Sequence, residues 1–98
     1  MTINSKKDGN TLVVGVSGRL DSITAPELET FLMNNVSDIS ELILDLKDLD
    51  YTSSAGLRVF LKIHKMMLSQ GKLIIENVKP DVMEVLEITG FSDFLTIR

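Results

Sequence analysis

The chain has 98 residues, with 10 Lys and Arg against 14 Asp and Glu, for a formal charge of -4. That length suits one domain spanning 1–98, and 44% hydrophobic with 24% charged side chains is ordinary for a globule. The absence of cysteine removes disulfide frameworks, thiolate zinc sites and thiol nucleophiles together, and a single histidine, His64, excludes a multi-histidine metal centre. An acidic balance argues against nucleic-acid binding, which needs a basic patch. The opening stretch MTINSKKDGN is too polar for a signal-peptide core, and no apolar run approaches the ~20 residues that span a bilayer. A cytoplasmic, membrane-free and monomeric protein is the expectation.

Residues 2–7 and 11–17 read as two strands joined at Asp8-Gly9-Asn10, where glycine and asparagine accept positive φ. Gly18 is expected to close the second. Thr24-Ala25-Pro26-Glu27 matches a capping box, and Leu28, Phe31, Leu32 and Val36 give a helix over 25–36 one apolar face. Residues 41–46 form the next strand. A long helix runs from Ser54 to Ser69, with Gly71 as its left-handed cap, and 72–76 form another strand. Pro80 opens a third helix with Val82, Val85, Leu86 and Thr89 on one face. It closes at Gly90-Phe91 in a Schellman pattern, and 94–97 make an edge strand. The order β-β-α-β-α-β-α-β predicts the α/β class: a single open mixed sheet, parallel beyond its first hairpin, with helices packed on it.

In such a sheet, sites gather beyond the carboxyl ends of the parallel strands. Three connections fall there: Arg19 to Thr24, Lys47 to Ser54, and Asn77 to Lys79. The second sets two hydroxyls, Ser53 and Ser54, at a helix start. Either can cap free N–H groups, and either could carry a phosphate beside a helix N-terminus. Asp45, Asp48 and Asp50 match no calcium loop and read as solvated loop carboxylates. Along the second helix Arg58, Lys62, Lys65 and Ser69 share one stripe, while Leu57, Phe60, Leu61 and Leu68 lie on a second, apolar sector that Val59, Ile63 and Met67 widen. His64 joins the apolar sector as a core or core-edge residue, and Met66, Met67 and Met83 read as packing. At ten residues, about 15 Å, from Ser54, His64 cannot form a Ser–His couple. No phosphate-binding glycine loop can be drawn through the scattered glycines. A catalytic role, a cofactor and a metal are therefore not expected.

Gly18-Arg19-Leu20-Asp21 with Thr24-Ala25-Pro26-Glu27-Leu28 resembles the first signature of STAS domains of the anti-sigma factor antagonist type. Leu44-Asp45-Leu46 followed by Tyr51-Thr52-Ser53-Ser54-Ala55-Gly56-Leu57 resembles the second, and Ile88-Thr89-Gly90-Phe91 is similar to the end of that family's third helix. The resemblance implies a protein-binding switch. The unmodified domain binds an anti-sigma factor that is also a serine kinase, which frees a sigma factor. The kinase, with its own ATP and magnesium, then phosphorylates a serine at the second helix, and a metal-dependent serine phosphatase reverses the mark. Alignment through Gly56-Leu57 puts the acceptor at Ser54, with Ser53 as second choice, because Ser53 stands where many members have aspartate and Ala55 where they have a second serine. The implied docking rim comprises Asp21, Ser22, Thr24, Asp50, Thr52, Ser53, Ser54, Gly56, Arg58 and Lys62. The alternative is a STAS scaffold subunit of a signalling or transport assembly that never carries phosphate.

Overall fold

The computed structural model describes all residues from 1 to 98. Its elements are β1 (Thr2–Asp8), β2 (Thr11–Leu20), α1 (Ala25–Asn35), β3 (Glu41–Asp45), β4 (Leu49–Thr52), α2 (Ser54–Leu68), β5 (Lys72–Glu76), α3 (Pro80–Ile88), a 3-10 turn at Phe91–Asp93, and β6 (Thr96–Ile97). One sheet runs β1-β2-β3-β5-β6, with β4 paired to β2 off that path. Only the β1–β2 hairpin is antiparallel. The mixed open sheet is the expected architecture.

Alternation decides which face of the sheet is covered. Leu12, Val14 and Val16 of β2 and Leu42 and Leu44 of β3 are buried, while Val13, Gly15, Ile43 and Asp45 between them are only half-covered. Onto the buried face come Leu28 and Leu32 of α1, Leu57, Phe60, Ile63 and Met67 of α2, and Val82 and Leu86 of α3, all within one core cluster. Each such side chain contributes about 1.5–3 kcal/mol when fully buried. Ile74 is buried yet outside that cluster, in register with Ile43 on the opposite face. The helices thus share one side of the sheet, and their N-termini enter from the carboxyl ends of the parallel strands.

Several local expectations are corrected. Gly18 does not end β2: at φ 90° it kinks the strand, which runs on to Leu20 and changes partner from β3 to β4. The connection from Lys47 to Ser54 contains β4, whose four residues offer too little alternation to announce a strand. Gly71 is not left-handed. It is glycine because a Cβ would run into the Ser40 carbonyl. Gly90 is left-handed at φ 81°, but its N–H turns to the Glu87 carbonyl, and residues 91–93 coil into the 3-10 turn, leaving only Thr96–Ile97 as edge strand. Thr24 does not cap α1 with its side chain. The local donors are satisfied by Asp21 instead.

Candidate functional site

The kink at Gly18 builds the rim. Beyond it Arg19 and Leu20 pair with Tyr51 and Thr52, so the two strand ends finish side by side. The Ser53 N–H then donates to the Leu20 carbonyl at 2.8 Å, tying together the connections that enter α1 and α2. Arg19 lies over the Tyr51 ring with its guanidinium carbon 4.1 Å from the ring centre, a cation–π contact across the paired strands.

The connection into α1 is braced from within. One carboxylate oxygen of Asp21 accepts from the backbone N–H groups of Ile23 and Thr24, each at 3.0 Å. The Thr24 hydroxyl accepts from the Asp21 N–H at 2.9 Å and donates to the Arg19 carbonyl at 2.8 Å. Backbone hydrogen bonds from Thr24 and Ile23 hold the Asp21 carboxyl below its ordinary pKa. Asp21 and Thr24, expected as contact residues, therefore shape the loop. That loop presents Ser22 and Ile23 to solvent, with Ile23 85% exposed. One isoleucine in a polar loop carries no periodic signal, and Ile23 stands out only because the braced turn holds it away from the core.

The two serines entering α2 differ. Ser53 is extended, at φ -94° and ψ -179°, and its hydroxyl accepts from the Ala55 N–H at 3.2 Å as the helix N-cap. It is half-buried. Ser54 is the first helical residue; it is exposed and its hydroxyl makes no hydrogen bond within the protein. Thr52 and Gly56, both expected in the rim, lie beneath it: Thr52 is 3% exposed and Gly56 is buried. A Cβ on Gly56 would meet Leu20 Cδ2 at 2.7 Å and also the Thr52 hydroxyl. Glycine is needed there so that the first turn of α2 can lie directly on the ends of β2 and β4. These two residues support the rim from beneath and leave almost no surface of their own exposed on it.

Around this centre the charges are largely paired. Asp50 binds Lys79 at 2.5 Å, joining the third connection to the rim, and that hydrogen bond raises the Lys79 pKa. Asp45 accepts from the Lys47 N–H and the Asn77 amide, at 3.1 and 3.0 Å. No group of carboxylates and histidine is arranged to hold a metal ion. Arg58, Lys62, Lys65 and Ser69 all face solvent, but Lys62 is bound to Glu29 of α1 at 3.2 Å. A groove of about 290 Å³ between α1 and α2, lined by Ser22, Ala55 and Arg58 among others, opens next to Ser54. His64 stands at the far end of α2, half-buried, its ring centre 4.9 Å from that of Phe94. It belongs to the core edge and has no part in the rim.

Residues 2–98 match the family model described as STAS domain. The chain belongs to the STAS family. The anti-sigma-B factor antagonist of Bacillus subtilis is 32% identical over 98 residues, covering 99% of this chain and 90% of that protein. BtrV of Bordetella bronchiseptica, whose own assignment as an anti-sigma factor antagonist is provisional, is 40% identical over 93% of this chain and 80% of its length. Among solved structures, the unphosphorylated anti-sigma factor antagonist SpoIIAA superposes with a TM-score of 0.85 at 17% identity, covering 99% of this chain and 88% of that one. The phosphorylated form of SpoIIAA, a Bacillus protein, superposes at 0.77 and 16% identity over 99% and 91%. At those identities the superpositions establish the STAS fold.

Proposed function

We propose that this STAS chain is an anti-sigma factor antagonist, regulatory rather than catalytic and acting in the cytoplasm, whose hold on its partner is released by phosphorylation of Ser54. The partner is an anti-sigma factor that is also a serine kinase. The observation that carries the choice of residue is the contrast between the two hydroxyls: Ser53 is engaged as the N-cap, whereas Ser54 is exposed and unbonded. In the transfer the Ser54 oxygen attacks the γ-phosphorus of ATP held by the kinase. The new O–P bond forms as the bond to the β-phosphate oxygen breaks, ADP leaves, and the hydroxyl proton passes to a base of the kinase.

Unmodified, the rim docks through the braced loop at Ser22 and Ile23 and through the face around Ser54 and Arg58. Phosphorylation adds about -1.5 to -2 charges there, next to the helix N-terminus that tolerates them. The fold keeps its shape, but the interface must now desolvate a dianion beside the acidic groups of the ATP site it faces. A penalty of about 4 kcal/mol corresponds to roughly a thousandfold weaker binding. A metal-dependent serine phosphatase hydrolyses the ester and restores the docking surface.

The test is phosphopeptide mapping after incubation with the co-encoded kinase and ATP. Ser53→Ala is expected to accept one phosphoryl group and Ser54→Ala none. Equal labelling of the wild type and Ser54→Ala would refute the assignment, and an unlabelled wild type would leave a purely scaffolding STAS subunit.

A further inference from the structure

Two basic side chains lie within the first three turns of α2. Lys62 is engaged by Glu29, but Arg58 has no carboxylate partner anywhere in the molecule. Arg58 follows Ser54 by four residues, and both are exposed. Residues so spaced are neighbours on a helix surface, and helical side chains lean toward the N-terminus, which carries the guanidinium back over the turn holding Ser54. Its planar fork suits the oxygens of a phosphate ester.

We propose that Arg58 is a built-in receptor for the phosphate on Ser54: once the mark is placed, the guanidinium pairs with it and clamps it along the first turn of α2. This rests on the phosphoserine reading above and adds what becomes of the mark afterwards. The charged groups facing the same groove support it. Glu29 from α1, the one carboxylate that lines it, is already bridged to Lys62, and Asp21, outside the groove, is turned onto the backbone of its own loop, so neither is paired with Arg58. Phosphorylation then changes the docking face twice. A dianion appears, and the unpaired Arg58 guanidinium beside it is withdrawn from any acidic group of the partner.

The direct test is 31P NMR titration of the full chain with phosphoserine installed at position 54 during translation, so that it does not depend on any kinase. An isolated phosphoserine loses its second proton near pH 6. With Arg58 in place the midpoint is expected about half a unit lower than in Arg58→Gln, given an i,i+4 pair strengthened by full charge on both groups. Arg58→Lys should fall between them, because it keeps the charge and loses the fork. The Arg58 side-chain N–H resonance should also move on modification of the wild type. Identical midpoints in the wild type and Arg58→Gln would overturn the clamp while leaving the Ser54 assignment standing. Failure of the kinase to label Ser54 would sink that assignment instead.

Discussion

At the entrance to α1, Asp21 and Thr24 turn their side-chain oxygens onto each other and onto the local backbone. At the entrance to α2, Ser53 does likewise, and Ser54 beside it keeps its hydroxyl free. The two connections lie side by side, laced by the bond from Ser53 to Leu20, yet they are suited to different work. The first is a fixed surface that offers a protruding Ile23. The second is fixed at Ser53 and leaves the neighbouring Ser54 hydroxyl open, where the proposed phosphate would be added. A switch of this kind needs both: a rigid loop to define where a partner sits, and an adjacent group whose charge can change without disturbing that loop.

The comparison can be broken most severely from beneath. Gly56→Val would push a branched side chain into Leu20 and Thr52, under both connections at once. It is expected to cost about 3 kcal/mol, read as a lower midpoint in urea unfolding. Ile23→Ser removes the exposed anchor of the fixed loop while burying and freeing nothing. Its unfolding midpoint should match the wild type, while affinity for the anti-sigma factor falls about tenfold by calorimetry. Ser53→Ala deletes the cap of α2 and is expected to lower stability by about 1 kcal/mol while leaving Ser54 open to labelling.

The smallest effect is electrostatic and belongs to the α1 entrance. The Asp21 pKa is lowered by the fold from 3.8, so its ionised form stabilises the native state at every pH above that value. The contribution disappears as the pH falls below 3.8 and through the lower folded pKa. Asp21→Asn keeps an oxygen for the turn but cannot titrate. The stability gap between wild type and Asp21→Asn should therefore narrow as urea unfolding is followed from about pH 5 to about pH 2.

Much of this architecture was legible because it rests on periodicity. The apolar run from Leu12 to Val16, the helical spacing of Leu28 with Leu32, and the run from Leu57 to Met67 each carry many residues with one message. What escaped reading depends on contacts between distant segments. The strand at Leu49–Thr52 exists because β2 bends at Gly18 to meet it, and neither segment announces the other. Gly71 looked like a helix cap but answers to Ser40, thirty-one residues earlier. At the rim, sequence brought forward segments that the fold does place side by side, but not the division of labour within them. Thr52 and Gly56 proved to be internal supports, Asp21 and Thr24 a brace, and the choice between adjacent serines turned on which hydroxyl the first N–H groups of α2 had already taken.

The measurement that bears most directly on this account is a pair of calorimetric titrations of the anti-sigma factor, one with the unmodified chain and one with phosphoserine at position 54, accompanied by backbone amide spectra of each. Binding is expected to weaken by roughly a thousandfold, with spectral changes confined to the rim and the first turns of α2. Equal affinities, or weakened binding accompanied by shifts throughout the sheet, would contradict it.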